Sequence, residues 1–321
     1  MDELEIRKFF EIIKDNENLT EIRIIESKTK NYSGYFTNVD DLLGEVKKYN
    51  KGNIYFTLNS INEACASRTQ ANRIIQNPKT TTSDNDIVAR DWILIDIDPK
   101  RPADTNSSDD EKKKAQSVVN SIYNYLRNVG FASPVISDSG NGYHLLYKVS
   151  MSNSPENTIL IKNFLEALAL TFFTDNVDVD TSVFNASRIC KLYGTYSRKG
   201  SNTEDRPQRQ SKILKVPNEI KKTSIHLIQK VVNDLLPKRE EPTFKNNYST
   251  SFDIDSFLKR NNIQVDKEYH SNGMRKILLR ECPFDSNHKS PDSAIFVMSN
   301  GAIGFKCFHN SCQSNNWSEL R

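Results

Sequence analysis

This 321-residue chain has no long apolar run. Its closest approach, FLEALALTFF, is short and carries Glu166, so no segment offers the roughly 20 apolar residues that span a bilayer. The N-terminus, MDELEIRKFFEIIKDNENL, lacks the uninterrupted apolar centre of a secretory signal. Its acidic residues come early and its apolar ones recur with helical spacing, as in an amphipathic helix. The expectation is a soluble, cytoplasmic protein with no membrane partner. Cysteine is scarce: there are five, an odd number, and three fall in the last forty residues beside histidines, which favours metal binding over a disulfide framework. Neither sign of charge is in excess, with 44 basic residues against 41 acidic, so an electropositive groove would have to come from local clustering. No internal repeat or extended low-complexity tract occurs. No G-x-x-x-x-G-K-[ST] loop is present either, which excludes a P-loop helicase motor in these residues.

The most informative segment present is DWILIDIDPKRP. Alternation along a strand places Leu94, Asp96 and Asp98 on one face and Ile93, Ile95 and Ile97 on the other, so an apolar strand ends in two neighbouring carboxylates. Two such anions repel each other and lose hydration, a cost that a divalent cation would offset. Upstream, helix and strand patterns alternate: a helix near Glu3 to Lys14, a strand in EIRIIES, a helix in DDLLGEVKKY and a strand in NIYFTLN. Downstream, a helix is expected from about Asp110 to Val129, with Val118, Val119, Ile122, Tyr125 and Leu126 on its apolar side. PVISDS and YHLLYKV then flank a Gly-Asn-Gly turn, a helix runs from about Pro155 to Phe173, and DVDTSVF and ICKLYGT read as the last core strands. A further helix, Ser224 to Leu235, precedes the polar, Pro-containing PKREEPTFKNNYST. This order predicts an α+β catalytic domain over 1–236, a linker over 237–250 and a smaller domain over 251–321.

Three segments of the first domain can meet at one site: Asp96 with Asp98, His144 beside the glycine turn, and Asp178 or Asp180 in VDVDTSVFNASRICKLYGT. Three carboxylates on adjacent strands suit two divalent ions clamping the attacking and leaving oxygens of a phosphoryl or nucleotidyl transfer. His144, Arg188 and Lys191 could neutralise phosphate oxygens, with Ser139 and the Gly140–Asn141–Gly142 turn adding donors.

As they stand, ILIDIDPKRP, DSGNGYHLLY and DTSVFNASRICKLYGTYSRKG resemble the archaeo-eukaryotic primase superfamily, specifically the primase-polymerases of bacterial phages, plasmids and integrated elements. TTTSDNDIVARDW and SRKGSNTEDRPQR extend the likeness over most of residues 60 to 215. The resemblance implies an RRM-like catalytic sheet merged with an N-terminal α/β module. It also implies a DNA-dependent primase-polymerase that starts or extends strands with two Mg²⁺ or Mn²⁺ ions, taking Asp96, Asp98 and Asp180 as metal ligands, with Asp178 the fallback for the third. Ser139, Asn141, His144, Arg188 and Lys191 would then bind the incoming NTP or dNTP, while Arg198, Lys199, Arg206 and Arg209, with Lys212 and Lys215, would line a single-stranded DNA template and primer path. Rival readings are a non-catalytic nucleic-acid-binding module of a replication initiator and a metal-dependent nuclease.

Near the C-terminus, RECPFDSNHKSPDSAIFVMSNGAIGFKCFHNSCQ presents Cys282, His288, Cys307 and Cys312 as C-x5-H, a spacer and C-x4-C. AIFVM and AIGFKC are strands joined by Ser-Asn-Gly, so the four residues sit at the open end of a hairpin, as in a zinc ribbon, and predict one structural Zn²⁺. His309 is the alternative to His288. Cys65 and Cys190 read as small buried residues. The module resembles those that accompany primases, which implies a grip on template or initiating nucleotide. The chain ends at NNWSELR, directly after the zinc ligands, so a replicative helicase is expected on a separate chain or in a missing C-terminal region.

Overall fold

Asp2 caps the first helix, α1 (Glu3–Ile13), by accepting the Glu5 amide, and the acidic first turn suits the positive end of the helix dipole. Its stripe Ile6, Phe9, Phe10 and Ile13 is buried, as the spacing predicts. The computed structural model describes residues 1–14, 19–49, 51–236, 252–271, 274–299, 301–312 and 315–321. The chain forms two compact units, Met1–Lys230 and Val231–Arg321. The linker expected at 237–250 lies outside the described residues.

The first unit holds two antiparallel sheets. One contains β1 (Thr20–Ile25), β2 (Asn31–Phe36), β3 (Asn53–Thr57), β5 (Ile75–Gln76) and β10 (Ile189–Lys191) in the order β10-β3-β1-β2-β5; the second starts with β4 (Ser60–Ile61) and β6 (Ile87–Pro99). With β7 (Val135–Asp138), β8 (Tyr143–Ser152) and β11 (Lys212–Lys215) its order is β11-β7-β8-β6-β4, and β9 (Val177–Val179) pairs with the end of β6. Helix α2 (Val39–Val46) belongs to the N-terminal module. Helices α3 (Asp109–Val129) and α4 (Pro155–Thr171) follow β6 and β8.

Helix α3 opens with a capping box between Ser108 and Glu111 and closes at Gly130, whose φ of 106° needs a residue without a Cβ. It buries Val118, Val119, Ile122 and Leu126, and Lys112 as well. Helix α4 starts with Ser154 as cap and Pro155 in its first turn, and buries Phe164 through Leu170 on all sides. Helix α3 packs on β6 and β8, where Ile93, Ile95 and Ile97 of β6 are each at most 3% exposed.

The structure departs from the pattern reading after α4. Of DVDTSVF only Asp178 and Val179 are strand, as the end of β9; Asp180 then caps a 3₁₀ turn, Thr181–Phe184. ICK is a strand, but it crosses to the other sheet, pairing Lys191 with Tyr55 and Cys190 with Phe56. An Asp side chain competes for its own backbone amides, here that of Ser182, which ends β9 where the alternation of residues would have continued it.

In the second unit α6 (Ile254–Arg260) precedes β12 (Val265–Ser271), β13 (Met274–Leu279), β16 (Ser293–Val297) and β17 (Ile303–Cys307), which form an antiparallel sheet in that order. The short pair β14 (Glu281–Cys282) and β15 (Asp285–Lys289) stands apart, and α7 (Trp317–Leu320) closes the described chain. In sequence, α5 (Ile225–Leu235) lies between the sheets of the first unit and the Cys/His elements of the second, and the division into units falls within it.

Candidate active site and metal centre

Strand β6 is long, and its neighbours change along its length. At its carboxylate end β8 lies on one edge, setting His144 opposite Asp96, and β9 lies on the other, setting Asp178 opposite Asp98. One step further the Asp180 amide donates to the Asp96 carbonyl at 2.9 Å. His144, Asp96 and Asp180 thus form a row, its last member one residue beyond the end of β9. Directly opposed residues share a face, so the register sends His144, Asp96, Asp98 and Asp178 to one side of the sheet.

Asp98 is held close on that face. The Gly140–Gly142 turn packs so tightly on β6 that a Cβ on Gly142 would come within 2.2 Å of Asp98 Oδ1 and 2.3 Å of the Ile97 carbonyl. The turn is itself well anchored. Ser139 Oγ accepts the Gly142 amide at 3.0 Å, Asp138 accepts the Gly140 amide at 2.7 Å, and buried Lys112 from α3 pairs with Asp138 at 2.7 Å. Asn141 uses both ends of its amide internally: Oδ1 accepts the Ser107 amide at 2.8 Å and Nδ2 donates to Ser197 Oγ at 2.9 Å.

The electrostatics separate the two acids. Burial works against ionisation of Asp96, but His144, then Lys199 and Arg188, outweigh it and hold its pKa below 3.8. Asp98 moves the other way, to about 6, through burial first and the charge of Asp96 second. Its side chain is 40% exposed. Arg101, 3.6 Å from Asp98, offsets part of that charge. His144 is buried, with Nε2 3.5 Å from Asp96 and Nδ1 2.8 Å from the Tyr193 hydroxyl. Burial opposes its charged form, yet Tyr193, Cys190 and Asp96 together raise its pKa well above 6.5.

Cations border this row. Lys191 is buried beneath the ring of Tyr55 and donates to the Tyr196 carbonyl at 2.8 Å. Desolvation first, then Arg198 and Lys199, keep its pKa well below 10.5. Three cationic side chains therefore press on one another, an arrangement that an anion would relieve. Lys199 is exposed and reaches the charge of both carboxylates. Arg206 and Arg209 are committed elsewhere: Arg206 makes a two-pronged pair with Glu111 at 2.8 and 2.7 Å, and Arg209 bonds Asp109 at 2.6 Å.

Asp180 Oδ1 accepts the Ser182 amide at 2.8 Å. Asp178 pairs with Lys100 at 3.3 Å and is 59% exposed. A set of hard carboxylate oxygens suits Mg²⁺ or Mn²⁺ chemically. Among the described residues the group whose ligand atoms already converge to within 4.8 Å is a different one, in the second unit.

There Cys282 from β14, His288 from β15, Cys307 from β17 and Cys312 from the adjacent 3₁₀ turn meet, all buried. Cys307 and Cys312 sulfurs lie 3.4 and 3.5 Å from His288 Nδ1. A tetrahedron with Zn–S of about 2.3 Å and Zn–N of about 2.05 Å has S···N edges of about 3.5 Å, so the donors fit zinc in kind and spacing. Asp285 stands 3.4 Å from His288 Nε2, where it would orient the ring. His309 stacks on His288 with centroids 3.8 Å apart but bonds Asp292 at 2.8 Å, outside the quartet.

No protein-family model matches this chain, and no curated protein does. Among solved structures, the crystal structure of primase RepB' is similar to it. The TM-score is 0.41 and the identity 12%, over 72% of this chain and 62% of that one. The chain therefore spans less than two thirds of that primase's length.

Reading by motif passed over Tyr193, Arg101 and Lys112. Tyr193 and Arg101 lie within the very segments that carry the site, three residues from Cys190 and from Asp98 respectively. What the pattern lacks is the crossing of β10 to the other sheet, which brings Tyr193 back onto His144.

Proposed function

We propose that this chain is a DNA-dependent primase-polymerase, joining nucleotides at the row His144, Asp96 and Asp180, with the second sheet of the first unit as an RRM-like catalytic layer. The reading rests above all on one observation: paired acids on a single strand face, adjoining the mutually repelling cations Lys191, Arg198 and Lys199. Anionic and cationic halves side by side suit a substrate that is a metal-bound polyphosphate.

Asp96, Asp98 and Asp180 would hold two Mg²⁺ or Mn²⁺ ions, which when bound supply Lewis-acid polarisation of the primer 3′-hydroxyl and of the triphosphate oxygens. Lys191, Lys199 and Arg188 take the triphosphate, and its charge returns Lys191 toward an ordinary ammonium. His144, fixed by Tyr193 through Nδ1, presents Nε2 to a phosphate oxygen. Gly142 lets the turn lie against Asp98, while Ser139 and Asn141 shape that turn, the former keeping its hydroxyl partly open to the nucleotide. Arg198 stacks on Tyr196 at 5.4 Å and with Lys199 faces the template path; Arg206 and Arg209 brace the loop that carries them. The Cys/His quartet takes one structural Zn²⁺, and its unit assists initiation. A separate helicase is the proposed partner.

Primer synthesis on single-stranded DNA with labelled nucleotides tests this directly. The expected products are short strands with stoichiometric pyrophosphate, lost in Asp96→Ala, Asp98→Ala. Strand cleavage without pyrophosphate would identify a nuclease instead, and full synthesis by the double variant would remove the carboxylates from the chemistry.

A further inference from the structure

The carboxylate face of β6 continues inward from Asp96. One side-chain step back along the strand, Leu94 helps wall a small internal cavity that it shares with Arg90, Val183, Asn185 and Arg188. The space admits the centre of a water-sized sphere over about 10 Å³, which is room for one water. Three polar atoms of these residues, Arg90 Nε, Arg188 Nε and Asn185 Oδ1, are shut off from solvent and have no hydrogen-bond partner among the described residues.

The remaining polar atoms of the three side chains fix which atoms are left over. Arg90 donates to the Phe184 carbonyl at 2.8 Å and to Thr158 Oγ1 at 2.7 Å. Arg188 donates its terminal nitrogen to the Ser182 carbonyl. Asn185 donates Nδ2 to Ser187 Oγ at 3.1 Å and to Asp84 at 3.3 Å, so its amide orientation is set and an acceptor is its unpaired end.

We propose that this cavity holds one ordered water that accepts from Nε of Arg90 and of Arg188 and donates to Oδ1 of Asn185, so that Asn185 and Arg90 are positioning residues for the Arg188 guanidinium. Three bonds are the usual complement of a buried water. An anion would satisfy both guanidinium groups but would meet the Asn185 carbonyl oxygen with like charge. Water alone serves two donors and one acceptor. Through it the 3₁₀ turn after Asp180 and the interior of β6 are tied to the arginine whose charge acts on Asp96.

The functional half of this inference rests on the proposed nucleotide site; the water does not. A crystal structure of the full chain at a resolution showing ordered solvent, with a bromide soak, tests the water. Density within about 2.7–3.2 Å of all three atoms, without a bromide anomalous signal, is expected. Bromide there, or direct pairing of the three side chains with no density, overturns the proposal. Calorimetry with dATP and Mn²⁺ tests the positioning. Asn185→Leu, which removes the acceptor at nearly constant volume together with the Nδ2 donor, should weaken dATP binding roughly tenfold with the circular dichroism spectrum unchanged. Ser187→Ala, which removes a partner of Nδ2 and leaves the Asn185 acceptor in place, should keep wild-type affinity. Undiminished binding in Asn185→Leu, or equal loss in Ser187→Ala, overturns the positioning role. Should the wild-type chain bind no dATP, the nucleotide reading falls while the density still decides the water.

Discussion

Asp98 carries an energetic cost that its neighbours leave in place. Its pKa of about 6 in the fold stands against 3.8 for an ordinary aspartate. The folded chain therefore binds a proton that the unfolded chain has lost between those values, and stability falls as pH rises through that window. The penalty is complete above about pH 6 and absent below about pH 4. Discounted for a side chain 40% exposed, it is about 1 kcal/mol, or about 2–4 °C in melting temperature. Asp98→Asn should accordingly melt higher than wild type at pH 8 and equally at pH 4, by scanning calorimetry without added metal. Mn²⁺ should raise the wild-type melting temperature at pH 8 and that of Asp98→Asn much less. A second residue-scale prediction concerns Gly142, where any Cβ overlaps the Asp98 carboxylate and the backbone beneath it. Gly142→Ala should cut nucleotide incorporation more than about a hundredfold through a displacement on the order of 1 Å, while circular dichroism shows an intact fold.

At the scale of elements, the site depends on which strands flank the last four residues of β6. That strand was legible because its apolar alternation ends in two acids, and α3 because capping residues, apolar period and terminal glycine agree. The hairpin β7–β8 was legible from its Gly-Asn-Gly turn. What local pattern does not contain is partnership: that β9 lies beside β6 for three residues only, or that β10 leaves for the other sheet. Those facts are set by long-range packing, and the proposed choice of Asp180 over Asp178 rests on them. Asp178 is drawn outward to Lys100, whereas Asp180 is tied through its amide to Asp96 itself. Asp180→Asn is therefore expected to reduce incorporation by more than about a hundredfold, since even indirect metal-site partners are worth 10- to 100-fold. Asp178→Asn should stay within a few-fold of wild type in the same primer-extension assay, and the reverse ranking would reassign the third ligand.

At the scale of the whole molecule, the second unit has a core that includes its own metal ligands. Cys282, Cys307 and Cys312 are part of the same buried cluster as Phe257, Ile277, Ile295, Phe305 and Trp317. Burial pushes the Cys307 thiol up to about 12, with Cys282 and Cys312 adding to the shift, so a cation is needed to hold this donor as a thiolate. A unit this small gains little from apolar burial alone, and structural zinc is worth roughly 10 to 16 kcal/mol of apparent binding energy in such modules. The first unit holds two sheets and their helices, and among its described residues no Cys/His cluster of this kind occurs. Full-length protein should therefore contain one zinc per chain by elemental analysis and unfold in two calorimetric steps. A strong chelator, or Cys307→Ser, should remove or lower one step and leave the other in place. In activity, the same treatment should impair strand initiation on bare template at least about tenfold while extension of a preformed primer changes little, because the carboxylate row lies wholly in the first unit. Parallel loss of both activities would place the second unit within the catalytic machinery, and loss of neither would confine its zinc to stability.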